Sequence, residues 1–221
     1  MIKSNLLLIK GAFNPLYMRT IGIVLLVAGV IASCGPASTN RESADTRYHE
    51  KADSILALMT LEEKLGQLNL PGAGDITTGQ ASNSGIAEKI REGKVGGLFN
   101  IKSAEKIREV QRIAVEESRL KIPLIFGMDV IHGYQTVFPI PLALSCSWDM
   151  EVVERSARIA AEEATSDGIC WTFSPMVDIA RDPRWGRVAE GSGEDPYLGS
   201  EIARAMVRGY QGNDLTANNT L

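Results

Sequence analysis

Arg184 and Arg187 flank Trp185 in the stretch DPRWGRVAEGSGEDPYLGS, which runs from Asp182 to Ser200. Two guanidinium groups three residues apart around an indole can present forked, planar donors beside an aromatic face. A polyhydroxylated ring such as a sugar suits that chemistry, because its hydroxyls accept forked guanidinium bonds and its C–H face lies against indole. The same stretch also holds four acids, and Glu190, Glu194 and Asp195 could pair with the arginines simply to hold a long loop in shape. The two readings combine if one arginine faces ligand and the other braces the loop. Gly186, Gly191 and Gly193 would let such a loop fold back where residues with side chains are strained.

A second candidate lies in FGMDVIHG. Asp129 directly follows the apolar run LIFGM, where a buried strand opens to solvent, and a carboxylate there is satisfied either by a ligand's hydroxyls or by a local turn or internal pair. His132 stands alone and reads as a structural histidine, with a direct chemical role as the alternative. Asn100 ends another apolar segment, KVGGLFN.

These residues need elements to hold them, and the chain alternates between the two periods. HEKADSILALM has Ala52, Ile55, Leu56 and Met59 on one helical side, and TLEEKLGQL opens a second helix with Thr60 and Glu63 at capping-box spacing. KVGGLFN is a short strand. The segment 103–119 is helical through Ile107, Val110, Ile113 and Ala114, with Ser103 as its cap. IPLIFGMDV reads as a strand covered on both faces of a parallel sheet. WDMEVVERSARIAAEEATSDG is a long helix capped by Asp149 and stopped at Gly168. ICWTFSPMVDIA supplies a third strand. A last helix sets Leu198, Ile202, Ala205 and Met206 on one face. Strand and helix alternate as in an α/β protein with parallel strands and right-handed crossovers. In such folds chemistry collects in the loops after the strands. Asn100, Asp129, His132 and the polar residues from Asp178 to Glu194 all fall there.

A net charge of −4 without a basic cluster argues against nucleic acid, which demands lysine and arginine for its phosphates. The only histidines are His49 and His132, and no Cys or His partner stands at ligand spacing, so no metal site and no cofactor is expected. At the N-terminus, IGIVLLVAGVIA from Ile21 to Ala32 is an apolar run of signal-peptide length, and IASC resembles the lipobox of bacterial lipoproteins. Residues 1–33 are therefore expected to be a lipoprotein signal, with Cys34 lipidated and Met18 a candidate true start. An uncleaved anchor with an incidental cysteine is the alternative. Residues 34–47 are polar and small, as in a flexible tether, and the folded body spans 48–221. Such a protein belongs to the cell envelope, in the periplasm or at the outer membrane, touching membrane only through its lipid. Disulfides are allowed there, so Cys146 and Cys170 could pair, or both could be small buried hydrophobes.

MTLEEKLGQL, GMDVIHG, TVFPIPLALSCSWD, SPMVDIARDPRWGRVAEGSGEDPYLGS and RGYQG, in this order, resemble glycoside hydrolase family 3, most closely its periplasmic β-glucosidase branch. The resemblance spans about Tyr48 to Gln211. It implies that the strands form part of a (β/α)8 barrel, followed in the family by a second α/β domain. It also implies exo-acting hydrolysis of β-linked glucosides and oligosaccharides with retention, through a covalent glycosyl intermediate. By matching motif, Asp129 would bind hydroxyls of the terminal sugar and Arg187 would be the ligand-facing arginine.

The family's adjacent Lys and His, its nucleophile aspartate and its general acid/base glutamate have no counterpart before Leu221. A retaining glycosidase needs two carboxyl groups about 5–5.5 Å apart, and Asp129 and Asp178 cannot simply be promoted to that pair. A full barrel takes about 250 residues, so the chain is expected to be the N-terminal portion of one, with the catalytic carboxylates supplied by protein beyond Leu221. Two alternatives stay open: a non-catalytic sugar-binding lipoprotein, and a β-xylosidase of the same family.

Overall fold

The computed structural model describes residues 39–73 and 85–221. Met18, the apolar run from Ile21, Cys34 and most of the glycine-rich loop after Pro71 lie outside the described residues. The chain divides into a unit ending at Ala57 and a larger unit, Leu58–Leu221.

In the first unit, helix α1 spans Thr39–Leu56. It starts ahead of His49, so residues 39–47 of the expected tether are helical. Ile55 is half-buried, whereas Ala52 and Leu56 of the expected apolar side are exposed.

The larger unit opens with α2, Leu61–Gln67, closed by the capping box read from its spacing. The Glu63 amide donates to Thr60 Oγ1 at 3.2 Å, and the Thr60 amide donates to Glu63 Oε2 at 2.9 Å. Glu63 has a second task. Arg119 donates to both of its oxygens and, through Nη2, to the Leu58 carbonyl at 2.8 Å. The Arg119 hydrogen bonds lead, with the Thr60 amide next, in lowering the Glu63 carboxyl to about 2.

A short helix α3, Ile86–Arg91, precedes strand β1, Gly97–Phe99. Helix α4, Ala104–Arg112, continues into a π-helical turn, Ile113–Glu117. Strand β2, Ile125–Met128, leads through a long loop and α5, Pro141–Ser145, to α6, Met150–Ser166. Strand β3 is only Trp171–Thr172, and α7 is Pro196–Gln211. The sheet is parallel in the order β1-β2-β3, with Phe99 opposite Gly127 and Gly127 opposite Trp171. The expected α/β alternation is what forms.

Alternate residues point to opposite faces of a strand. Leu98, Phe126 and Met128 are buried in one core with Ile107 and Val110 of α4 and Val153 of α6. The other face differs from the reading of β2 as doubly covered. Ile125 is 50 %, Trp171 42 % and Phe173 36 % exposed, since no described element lies over them. On this face Phe173 packs against Phe99 at 5.4 Å and edge-on to Trp171 at 4.7 Å. Gly127 makes room for them, because a Cβ there would stand 2.7 Å from Phe173 Cζ.

Helices α6 and α7 approach through Gly209, where a Cβ would meet the Glu154 carbonyl oxygen at 2.3 Å. Asp149 caps α6 by accepting the amides of Glu151 and Val152, and Gly168 at φ 93° ends it, both as expected. Ser103 does not cap α4. Its φ of 91° turns the backbone there, and its side chain makes no cap bond. Cys146 and Cys170 are free thiols, and both are exposed, so they are neither paired nor buried. Cys170 Sγ instead accepts the Phe126 amide at 3.3 Å.

Candidate functional site

Three backbone stretches leave the strand ends together. Asn100 follows β1 in the left-handed region at φ 63°, which asparagine tolerates better than most, and its amide donates to the Gly127 carbonyl at 2.9 Å. Asp129 follows β2. After β3, Ser174–Pro175 is a cis bond, and a loop runs through Asp178 and Arg187 to Asp195.

Asp129 is exposed, and its main chain is fixed on both sides. The Met128 carbonyl accepts the Phe173 amide at 3.3 Å, and the Val130 carbonyl accepts the Tyr210 hydroxyl at 2.8 Å. Among the described residues no hydrogen bond reaches the Asp129 carboxylate, so it does not cap a local turn there. The loop beyond it is anchored to α6. Glu163 accepts the amides of Gln135 and Thr136, both at 2.8 Å, and the Thr136 hydroxyl at 2.6 Å. Tyr134 donates to Asp167 at 2.6 Å, and Lys102, from the loop after β1, lies over the Tyr134 ring. Burial, followed by Asp167, pushes the Tyr134 phenol well above its ordinary value. His132 is exposed, and its carbonyl accepts the Phe138 amide at 2.8 Å.

The loop after β3 is closed at its base by the Ala180 amide, which donates to the Gly193 carbonyl at 3.0 Å. Only one of its three candidate glycines needs the freedom expected of it: Gly193 has φ 96°, whereas Gly191 is extended and Gly186 faces open space. Asp195 then caps α7 by accepting the Tyr197 amide at 2.8 Å. The acids do brace the arginines, though with a different division of partners. Arg184 is held by Asp182 rather than by Glu194 or Asp195, with Nε at 3.0 and 3.1 Å from its two oxygens. Arg187 donates to Glu190 through Nε at 3.0 and 3.1 Å and through Nη2 at 2.6 Å.

Only one of the two arginines also feels Asp129. The Arg187 guanidinium is raised chiefly by its hydrogen bonds to Glu190, with the charges of Asp178 and Asp129 adding to the effect. Asp129 ends β2, and the loop bearing Asp178 and Arg187 leaves the neighbouring strand β3. The Arg187 Nη1 group makes no hydrogen bond among the described residues. An exposed carboxylate acceptor and unspent guanidinium donors can together hold the hydroxyls of one ring. Trp185 is half-buried at the turn between the arginines.

Three features here escape a reading of local pattern: the Tyr210 to Val130 bond, the Glu163 anchor, and the Phe99, Trp171 and Phe173 cluster. The glycine inside β2 is the only local sign of any of them, since glycine in a strand marks close approach.

Over residues 60–219 the chain matches the glycosyl hydrolase family 3 N terminal domain. It is 46% identical over 158 residues to a periplasmic beta-glucosidase of Salmonella typhimurium, covering 72% of this chain and 20% of that protein. A periplasmic beta-glucosidase/beta-xylosidase of Dickeya chrysanthemi is 30% identical over 198 residues, covering 78% of this chain and 30% of its own length. The crystal structure of beta-glucosidase from Listeria innocua in complex with isofagomine superposes with a TM-score of 0.68 at 43% identity, over 78% of this chain and 24% of that chain. The chain thus spans between a fifth and a third of the length of these relatives.

Proposed function

This chain belongs to glycosyl hydrolase family 3, and from that premise we propose that it is the N-terminal portion of an exo-acting, retaining β-glucosidase that removes terminal β-linked glucose from glucosides and oligosaccharides. Its three parallel strands and their helices are part of the TIM-type α/β barrel of that family. Asp129 and Arg187 hold hydroxyls of the terminal sugar. The observation that carries this assignment is the exposed Asp129 carboxylate at the end of β2, without a hydrogen bond among the described residues, in a sheet whose next strand leads into the loop bearing Arg187.

Retaining hydrolysis runs through two carboxyl groups about 5–5.5 Å apart, one acting as nucleophile and one as acid and then base. In this proposal both come from protein outside these 221 residues, and the part described here grips the ring. A carboxylate and a guanidinium on the hydroxyls fix the sugar while its anomeric carbon flattens, and bonds that strengthen in that state lower the barrier. In the complete enzyme, Asp129→Ala is expected to lower kcat/KM for an aryl β-glucoside by several orders of magnitude, because a site that bonds a hydroxyl discriminates by about 10⁴–10⁵. An unchanged kcat/KM removes Asp129 from the site.

A β-xylosidase is the second reading, supported by the double name of the Dickeya relative. The ratio of kcat/KM for aryl β-glucoside and aryl β-xyloside separates the two. The periplasmic relatives support a place in the cell envelope, with residues 1–33 as signal, Cys34 carrying lipid and 34–47 joining it to the body.

A further inference from the structure

The backbone around Asp129 is held from two directions, and one of the two holds comes from far along the chain. On the near side, β3 fixes the Met128 carbonyl through the Phe173 amide. On the far side, the Tyr210 hydroxyl donates to the Val130 carbonyl at 2.8 Å. Val130 is 0 % and Tyr210 3 % exposed, so bulk water cannot take over this bond if the hydroxyl is lost. Burial pushes the Tyr210 phenol up to about 12, which keeps it protonated as a donor at any working pH.

Tyr210 stands in the last turn of α7, and the first turn of α7 is tied to the Arg187 loop. Asp195 caps the helix, and the Ala180 to Gly193 bond closes the loop just before it. Gly209 seats the same end of α7 against α6. A single packed helix therefore joins the loop bearing Arg187 to the carbonyl next to Asp129. Helix α6 supplies a second hold through Glu163, which receives the amides of Gln135 and Thr136.

We propose that Tyr210 is a positioning residue for sugar binding: its bond to the Val130 carbonyl sets where the Asp129 carboxylate stands relative to Arg187, with Glu163 fixing the far end of the same loop. This rests on the reading that Asp129 grips the sugar.

The test is a double-mutant cycle in the complete enzyme, read as kcat/KM for an aryl β-glucoside. Tyr210→Phe leaves a buried carbonyl unpaired, and about a tenfold loss is expected where Asp129 is present. In the Asp129→Ala background the same change should cost less than about twofold, because nothing remains to be positioned. Equal losses in both backgrounds would show a general structural role and overturn the proposal, as would no loss in either. If Asp129→Ala alone has no effect, the sugar-binding reading falls, and that result is distinct from the other two. Should Tyr210→Phe not accumulate as folded protein, Glu163→Gln enters the same cycle with the same expectation. Hydrogen exchange then serves as the physical readout: either variant should speed exchange of the amides from Val130 to Thr136, and unchanged protection there overturns the proposal.

Discussion

Arg187 and Glu190, three residues apart, share a forked ion pair in which Nε reaches both carboxylate oxygens and Nη2 reaches one. The pair holds the arginine in the loop while leaving Nη1 directed elsewhere. The 3-10 turn Val188–Glu190, which follows Arg187 directly, brings residues three apart to one side. The neighbouring arginine has an equally good brace in Asp182, so bracing alone does not tell the two apart.

What differs is the family motif, which matches Arg187 to the ligand-facing position; Nη1 of Arg187 makes no hydrogen bond among the described residues. Arg187→Lys is expected to lower kcat/KM by about 100-fold, since an ammonium cannot hold Glu190 and a ligand with one planar fork. Arg184→Lys should cost only a few-fold, because an exposed ion pair contributes little. Steady-state kinetics on the two variants checks the order, and the reverse order would mean that the roles are exchanged.

Glu63 links stability to pH. Its carboxyl lies near 2 in the fold against 4.5 ordinarily. The charged form is thus favoured by folding, and its contribution is complete above the ordinary value and lost as pH falls through about 2. In the complete enzyme, denaturation midpoints from pH 6 to about 2 should fall, and fall less steeply in Glu63→Gln. Parallel curves would remove Arg119 and Thr60 as the cause of the shift.

Gly209→Ala should destabilise the fold by about 1–3 kcal/mol or more, because the added carbon meets main chain of α6 that cannot step aside. Gly186→Ala is the contrast: it faces open space, and its effect should stay within about 0.5 kcal/mol. Thermal melts of the two variants in the complete enzyme read this directly.

Among the described residues, the apolar side chains Ile125, Trp171 and Phe173 on one sheet face are exposed. The 221-residue chain by itself is expected to bind an apolar dye such as ANS, to melt with little cooperativity and to leave an aryl β-glucoside intact. Vigorous turnover by the purified chain would contradict the placement of both catalytic carboxylates elsewhere.

The parts of this molecule that sequence makes legible are those governed by neighbours within four residues. The Thr60 capping box, the Asp149 cap and the Gly168 stop each follow from side chains reaching their own turn. The buried stripe of α7 at Ile202, Ala205 and Met206 follows from the helical period. Helices α3 and α5 are too short to display that period, and the glycine-started first turn of α3 carries no side-chain cap. Ser103 has the right residue type for a cap, yet at its positive φ the side chain makes no cap bond. Residue type and place make Asp129 and the pair Arg184 and Arg187 candidates, and only the matching motif chooses Arg187 between the two; Asp182 lies within reach of Arg184 in sequence but is not read there as its partner, and Tyr210 as the partner of Val130 cannot be read at all. The Tyr210 pairing depends on how the chain returns to itself, which no local period encodes.

The Tyr210 to Val130 bond joins residues separated by 80 positions. A ribosome adds about 5–20 residues per second, so the hydroxyl emerges roughly 4–16 seconds after the carbonyl it will meet. Through that interval the segment following β2 has its early strand neighbours but not its distal clasp, and the nascent polypeptide cannot yet fix Asp129 in its final place. Translation speed between Val130 and Tyr210 therefore sets how long this buried carbonyl waits for its partner, and a chaperone acting on the young protein would find its client in that window.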